Sequence, residues 1–408
     1  MIKFPTLCSL LLAAVAAAGA TPSDVNDLAG LKLFDRTELW RESPEDVGGR
    51  LRLKFRSDGG GDRRVLSASA AGRDFFECPA AEVRIFAAGG HVSRIDLVLL
   101  NKGDNVSGGG SDKKNKSKNN AFRRELAKYH AGLERLLRER LGRARKLYFG
   151  SGNLSRQLPA WGIGNANLIL DYSEGEYLIV RIVPTRELGD HRRRAAEGQR
   201  AGTLDRYAAN VVREKNGDVY IGRVPMVDQG SKGYCVPATV ERVARYFGIT
   251  DIDMHKLAEK FHTAGGGGTT IDGAVRGTRK LLGEHGLRMK ETTRLRRQTI
   301  IRHIDQGIPL LWFHFSTADF KSRLDESLAA RSSTPPREWA ARIAGRKKIR
   351  KGNSGAHVAL LVGYNPRTGE IAVSNSWGER YNIAWVGFAD MEQVDSRLNL
   401  YVVTPRGN

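Results

Sequence analysis

In Gln229-Gly230-Ser231-Lys232-Gly233-Tyr234-Cys235-Val236-Pro237-Ala238, two glycines lead into a cysteine that opens an apolar periodicity. Val236, Val240, Val243, Ala244 and Phe247 recur at helical spacing, and Gly248 stands where a helix C-terminus favours glycine. Pro237 agrees, because proline is tolerated in a first turn, where its missing N–H has no intrahelical partner. Cys235 is therefore predicted to begin a helix, where unpaired N–H groups and the helix dipole favour a thiolate.

A nucleophilic thiol needs a base, and the best candidate lies far downstream. His357 heads the apolar run Val358-Ala359-Leu360-Leu361-Val362, which reads as a buried strand with the histidine at its mouth. After the turn residues Pro366 and Gly369, the chain returns through Glu370-Ile371-Ala372-Val373-Ser374-Asn375-Ser376-Trp377-Gly378. Two neighbouring antiparallel strands bring Asn375 close to His357, so that its amide oxygen accepts one imidazole proton and leaves the other nitrogen for Cys235.

Gln229-Gly230, Gly233-Tyr234-Cys235, Ala356-His357-Val358 and Asn375-Ser376-Trp377-Gly378, in that order, resemble a papain-like cysteine peptidase. The resemblance covers residues 219–408. It implies Cys235 as nucleophile, His357 as base, Asn375 as orienting group, Gln229 as an oxyanion donor and Trp377 as a shield over the His357–Asn375 bond. Gly233 and Val236 depart from papain, which has cysteine and tryptophan there. Gly307-Ile308-Pro309-Leu310-Leu311-Trp312 and the run after His357 are closer to the bacterial bacteriocin-processing (double-glycine) branch, whose third member is usually aspartate. Related peptidases also place a glycine-rich segment near the cleft, which nominates Gly266 and Gly267 for substrate binding alongside Trp377.

Taken singly, these residues have plainer readings. A cysteine at a helix start is commonly a small buried hydrophobe, and a histidine in an apolar run is commonly a satisfied core residue. The same scaffold also suits an acyltransferase or amidase, or a binding protein without catalysis. The run Gly265 to Gly268 lacks the Gly-Lys-Ser/Thr step of a phosphate loop. His255, His262 and His314 have no paired cysteine or histidine motif near them, so neither a zinc site nor any other cofactor is expected.

The first half of the chain reads differently. Leu51 to Phe55, Val83 to Phe86 and Val92 to Leu97 alternate apolar and polar residues, as half-buried strands do, and Ala87-Ala88-Gly89-Gly90 suits a hairpin. Residues 102–120, rich in Gly, Ser, Asn and Lys, read as a mobile loop. Phe122, Leu126, Leu133, Leu137, Leu141 and Ala144 then form one helical stripe, with Arg123, Arg124, Lys128, Arg135, Arg138 and Arg145 on the other faces. Asn167 to Tyr172 and Tyr177 to Pro184 give two more strands. The fold expected is α+β: an antiparallel sheet with a long helix over 24–186, a linker over 187–218 bearing Arg192-Arg193-Arg194, and a papain-like domain over 219–408 in which the cysteine helix packs on an antiparallel sheet bearing His357 and Asn375. Residues 330–354, with Pro335-Pro336 and a basic tail, read as an insertion: a mobile cover, a guide for acidic substrate or a solvated loop.

Composition sets the outer bounds. Met1-Ile2-Lys3-Phe4, the apolar run from Leu7 to Ala18 and the small residues Ala18-Gly19-Ala20 have the form of a signal peptide over 1–20, which implies a secreted or periplasmic protein. That leaves Cys78 and Cys235, too few for a disulfide framework, although the two thiols can pair with each other. A net charge of +21 and a pI near 10.1 favour an anionic envelope surface, while a peptide or protein substrate is what the resemblance implies. The stacking aromatics of an RNA-binding module are missing, which argues against nucleic acid.

Overall fold

The computed structural model describes residues 20–406 apart from 36–37, 59–62, 107–111, 151, 186–203, 251, 265–267, 293, 351 and 353–354. The expected signal peptide, the Arg192-Arg193-Arg194 segment and Gly266 and Gly267 lie outside the described residues, save for Ala20. No described helix is long and apolar enough to cross a membrane.

The architecture is α+β, with two eight-stranded sheets whose described pairings are all antiparallel. The first contains β1 (Arg56–Ser57), β2 (Val65–Phe75), β3 (Cys78–Ala88), β4 (His91–Asn101), β5 (Arg145–Phe149), β6 (Arg156–Ile163), β7 (Ala166–Ser173) and β8 (Tyr177–Pro184), in the order β1-β2-β3-β4-β8-β7-β6-β5. With it go α1 (Pro22–Ala29), α2 (Pro44–Leu51), α3 (Lys102–Asn105) and α4 (Asp112–Leu141). The hairpin between β3 and β4 turns on Gly89 and Gly90, both at positive φ (60° and 84°), which is the two-residue connection that matches strand twist.

Two local expectations fail here. Leu51 to Phe55 is not a strand, because Ser43 caps α2 with Pro44 in its first turn, and the helix runs to Leu51 before Arg52 leaves it at positive φ. Five alternating residues were too short a pattern to separate the two states. Nor do residues 102–105 and 112–120 form a loop. Asn101 caps the single turn α3, and residues 112–120 are the first turns of α4, where helix extends from an amphipathic nucleus at little cost per residue. Phe122, Leu126, Leu133 and Leu137 of α4 are buried as expected, whereas Leu141 and Ala144 remain partly exposed.

The alternation in the strands proves to be two buried faces. Ile95, Leu97, Leu168, Leu170, Val180 and Ile182 face the helices, in one apolar core. The intervening positions, Arg84, Arg94, Asp96, Asp171 and Arg181, are also buried, because the second half of the chain covers that face. Arg181 donates to Asp96 (2.5 Å), Asp171 (2.7 Å) and Asp253 (2.9 Å), Arg84 pairs with Glu241, and Arg245 with Asp58.

The second sheet contains β9 (Val211–Arg213), β10 (Val219–Ile221), β11 (Leu287–Thr292), β12 (Leu310–Phe315), β13 (Ala356–Asn365), β14 (Glu370–Ser374), β15 (Ala384–Gly387) and β16 (Asp395–Pro405). Its order is β11-β16-β12-β13-β10-β9, with β14 joined to β13 and β15. Its helices are α5 (Leu204–Ala208), α6 (Cys235–Tyr246), α7 (Met254–Lys260), α8 (Ile271–Glu284), α9 (Arg297–Asp305), α10 (Ala318–Ala330), α11 (Pro336–Ala344) and α12 (Phe388–Val394). The linker expected over 187–218 is therefore too long. Tyr207 of α5 is buried against Phe247 with ring centroids 4.9 Å apart, β9 pairs with β10, and Asp218 grips Arg331 at 2.6 and 2.8 Å. The 330–354 insertion likewise contains a packed helix, α11, anchored by buried Trp339, whose Nε1–H donates to Glu370 at 3.0 Å.

Because Arg181 alone holds three buried carboxylates, Arg181→Met should lower the urea stability of the full chain by about 3–5 kcal/mol. Arg181 and its neighbours hold Asp171 at about 2 and Asp253 lower still, against about 3.9 in an unfolded chain. A depressed carboxylate stabilises the fold fully above its unfolded pKa, and that contribution is lost as the folded group protonates. The wild-type urea midpoint should therefore drop steeply between about pH 4 and 2. Equal midpoints for Arg181→Met and wild type at neutral pH would show the network to be energetically idle.

Candidate active site

Cys235 is the first residue of α6, and Pro237 lies in its first turn. Gly248, at φ 88°, ends the helical segment as read, with the Ile249 N–H returning to the Ala244 carbonyl at 2.9 Å. Cys235 and Cys78 are both free thiols. The Cys235 thiol lies among the backbone N–H groups of Val358, Val236 and its own residue, and the Thr239 hydroxyl, one turn on, donates to the Val358 carbonyl at 3.3 Å. The start of α6 therefore abuts β13 one residue beyond His357.

Register explains the arrival of Asn375. β13 and β14 are antiparallel with Leu360 opposite Ser374, so the residue after Ser374 falls diagonally across from His357. The His357 Nε2–H donates to Asn375 Oδ1 at 3.0 Å, which leaves Nδ1 as the nitrogen with a free lone pair. Trp377 lies over the histidine, with ring centroids 4.7 Å apart. Gln229 joins the same group of residues: its backbone N–H donates to the Ser376 carbonyl at 2.8 Å, and the Ser376 hydroxyl donates to its side-chain Oε1 at 2.7 Å. With that oxygen engaged, the amide's donor end is the one available to a ligand.

The electrostatics differ from the sequence expectation of a thiolate. Burial pushes the Cys235 thiol up, and the three backbone N–H groups only partly oppose it. Burial also lowers His357 to about 4, although the bond to Asn375 pulls the other way. At neutral pH both groups thus rest uncharged, Cys235 as a thiol and His357 as a neutral imidazole.

Three residues of this neighbourhood carried no flag in the sequence. Arg242, buried in α6, donates from Nε to the Pro225 carbonyl (2.7 Å), from Nη1 to the Ser374 carbonyl (3.2 Å) and from Nη2 to the Ser374 hydroxyl and Asn382. It ties the cysteine helix to the approach to Gln229 and to the residue preceding Asn375. His314, dismissed as a residue of an apolar strand, is fully buried between Trp312 (4.2 Å, stacked) and the edge of His357 (5.3 Å). The remaining residue is Gly103 of α3. A Cβ there would sit 2.5 Å from Lys232 Cβ and 2.8 Å from Tyr234 Cζ, so only glycine lets the first sheet's helix press on the loop before Cys235.

In a Cys235→Ala background, the ring nitrogens of His357 should not titrate between pH 5 and 8 in long-range nitrogen–proton NMR spectra, and protonation should begin near pH 4. Since Asn375 favours the charged ring, Asn375→Ala should move that midpoint lower. A wild-type midpoint near the ordinary ~6.5 would contradict the buried environment described here.

Residues 221–396 match the family model of the Peptidase_C39 like family. The crystal structure of a proposed C39-like peptidase from Bacillus anthracis aligns at 13% identity and a TM-score of 0.32, over 47% of this chain and 99% of that one. No curated protein matches the sequence. The likeness to the Peptidase_C39 like family thus lies in the segment 221–396, within an α+β fold.

Proposed function

We propose that the chain is a cysteine peptidase that cleaves peptide bonds through an acyl-enzyme. The observation that carries this reading is the 3.0 Å bond from His357 Nε2–H to Asn375 Oδ1 at the point where the start of α6, bearing Cys235, meets β13. In the first half-reaction His357 Nδ1 takes the thiol proton while sulfur bonds to the substrate carbonyl carbon. The oxyanion accepts hydrogen bonds from the Cys235 backbone N–H and the Gln229 amide. As the tetrahedral adduct collapses, His357 gives its proton to the leaving nitrogen and the C–N bond breaks. Water, deprotonated by His357, then releases the acyl group and restores the thiol.

The lowered imidazole is unprotonated and so available as a base at neutral pH, and the charge it gains is to be stabilised by Asn375 as the adduct forms. Trp377 covers the His357 ring and excludes water from its bond to Asn375. The substrate is a peptide or protein, and the signal-peptide-like residues 1–20 and the basic charge support a secreted or periplasmic setting beside an anionic envelope.

In a peptide-library digest analysed by mass spectrometry, Cys235→Ala should abolish cleavage. Gln229→Ala should lower kcat by about 10²–10³, equivalent to ~3 kcal/mol, with little change in KM. Undiminished cleavage by Cys235→Ala would sink the peptidase reading. Products joined to an added amine, in place of hydrolysis products, would instead assign acyl transfer to the same pair.

A further inference from the structure

A cleft of about 1020 Å³ lies between the two halves of the chain, lined in part by the chain neighbours of Gln229 and Trp377. One wall is formed by Asp228, Gly230 and Ser231, flanking Gln229, and by Gly378 and Glu379, which follow Trp377. The other wall belongs to the first sheet and its approach: Arg52, Lys54, Arg56, the outer edge of β2 from Ser67 to Arg73, and β3. The walls are held in place, since the Met226 N–H donates to the Asp58 carbonyl at 3.0 Å and Lys232 pairs with Asp104 at 3.2 Å.

The charges on the two walls differ in kind. Two carboxylates in the cleft have cationic partners, Asp58 with Arg245 and Asp104 with Lys232, and Glu82 is mostly buried, 3.9 Å from His255. On the wall of the first sheet this leaves four exposed cations, Arg52, Lys54, Arg56 and Arg73, against one exposed carboxylate, Glu125. Asp228 and Glu379, both exposed, occupy the wall beside the catalytic residues. An anionic ligand is attracted to one wall and repelled by the other, so the face it occupies is determined. The lining also includes Ala68, Ala71, Ala80, Ala81, Leu99 and Leu100, and apolar surface between charged walls fits an extended chain better than a compact ion.

We propose that this cleft binds an extended acidic segment of the substrate polypeptide, which runs from the scissile bond past Gln229 and along the cationic wall of the first sheet. This rests on the peptidase reading above and adds to it a substrate class and a role for the first half of the chain. The first sheet is then half of a substrate-binding surface, and selectivity for acidic sequence comes from residues outside the family match.

The test uses the full chain with Cys235→Ala, so that binding is read without turnover. Fluorescein-labelled alternating Glu-Gly and Lys-Gly peptides of equal length are titrated by anisotropy at about 0.15 M salt, where surface charges more than ~8 Å apart are screened. The Glu-Gly peptide should bind more tightly, and Lys54→Glu/Arg56→Glu should weaken it about tenfold. Arg135→Glu/Arg138→Glu makes the same charge change on α4, at least about 15 Å along the helix from Glu125, and should alter binding less than about twofold. Equal weakening in the two double variants, no weakening in either, or preference for the Lys-Gly peptide would overturn the proposal. Cleavage by the Cys235-containing chain separates the two ideas. Binding without any cleavage would remove the peptidase reading and keep the cleft, while cleavage with an acidic preference unchanged by Lys54→Glu/Arg56→Glu would remove only the cleft.

Discussion

Arg181, with none of its surface exposed and a carboxylate on each of three sides, is the contact on which the assembled molecule depends. Asp96 and Asp171 come from strands of the first sheet, and Asp253 caps α7 in the second half. One guanidinium therefore joins two sheet strands to the helix that follows α6. The interior arrangement is stable only as a whole, because removing either side of a buried ion pair leaves an uncompensated charge. Arg84 with Glu241 and Arg245 with Asp58 repeat the device along α6 itself.

The consequence for α6 is that it has no solvent face. Val236, Val240, Val243 and Ala244 pack in the core of the second sheet, while Glu241 and Arg245 engage the first sheet and Arg242 engages the segments leading to Gln229 and Asn375. A helix held on all sides keeps its first residue in place, and that residue is Cys235. The loop before it is held in the same way, by Gly103 against Lys232 and Tyr234. The first half of the chain is thus built into the surroundings of the candidate site, which gives it a structural bearing on whatever reaction occurs there.

Burial also sets the chemistry of the pair. A helix terminus and three nearby N–H groups stabilise a thiolate, but at Cys235 the cost of removing that charge from water is larger. At His357 the same cost favours the neutral ring, and His314, buried at its edge without a charge partner, adds no anion to offset it. Both groups therefore rest uncharged.

The local pattern of residues determined much of this. Cys235 at a helix start, His357 at the mouth of a strand and Asn375 on the returning strand were legible because apolar periodicity, Pro237, Gly248 and the turn after Asn365 are local signals with local causes. Periodicity of two marked the strands over Val83 to Phe86 and Val92 to Leu97, yet it carries no information about what covers the second face. Arg84, Asp96, Asp171 and Arg181 therefore resembled solvated residues, and Arg242 and Glu241 resembled the polar side of an ordinary helix. Only the tertiary structure buried them, because a charged side chain enters an interior when a partner of opposite charge arrives from elsewhere in the chain, and sequence distance does not encode that meeting. The same reason explains why 204–218 resembled a linker and α11 an insertion: each is short and polar, and each is ordered by contacts such as Tyr207 with Phe247 and Trp339 with Glu370 that exist only after the sheets have assembled.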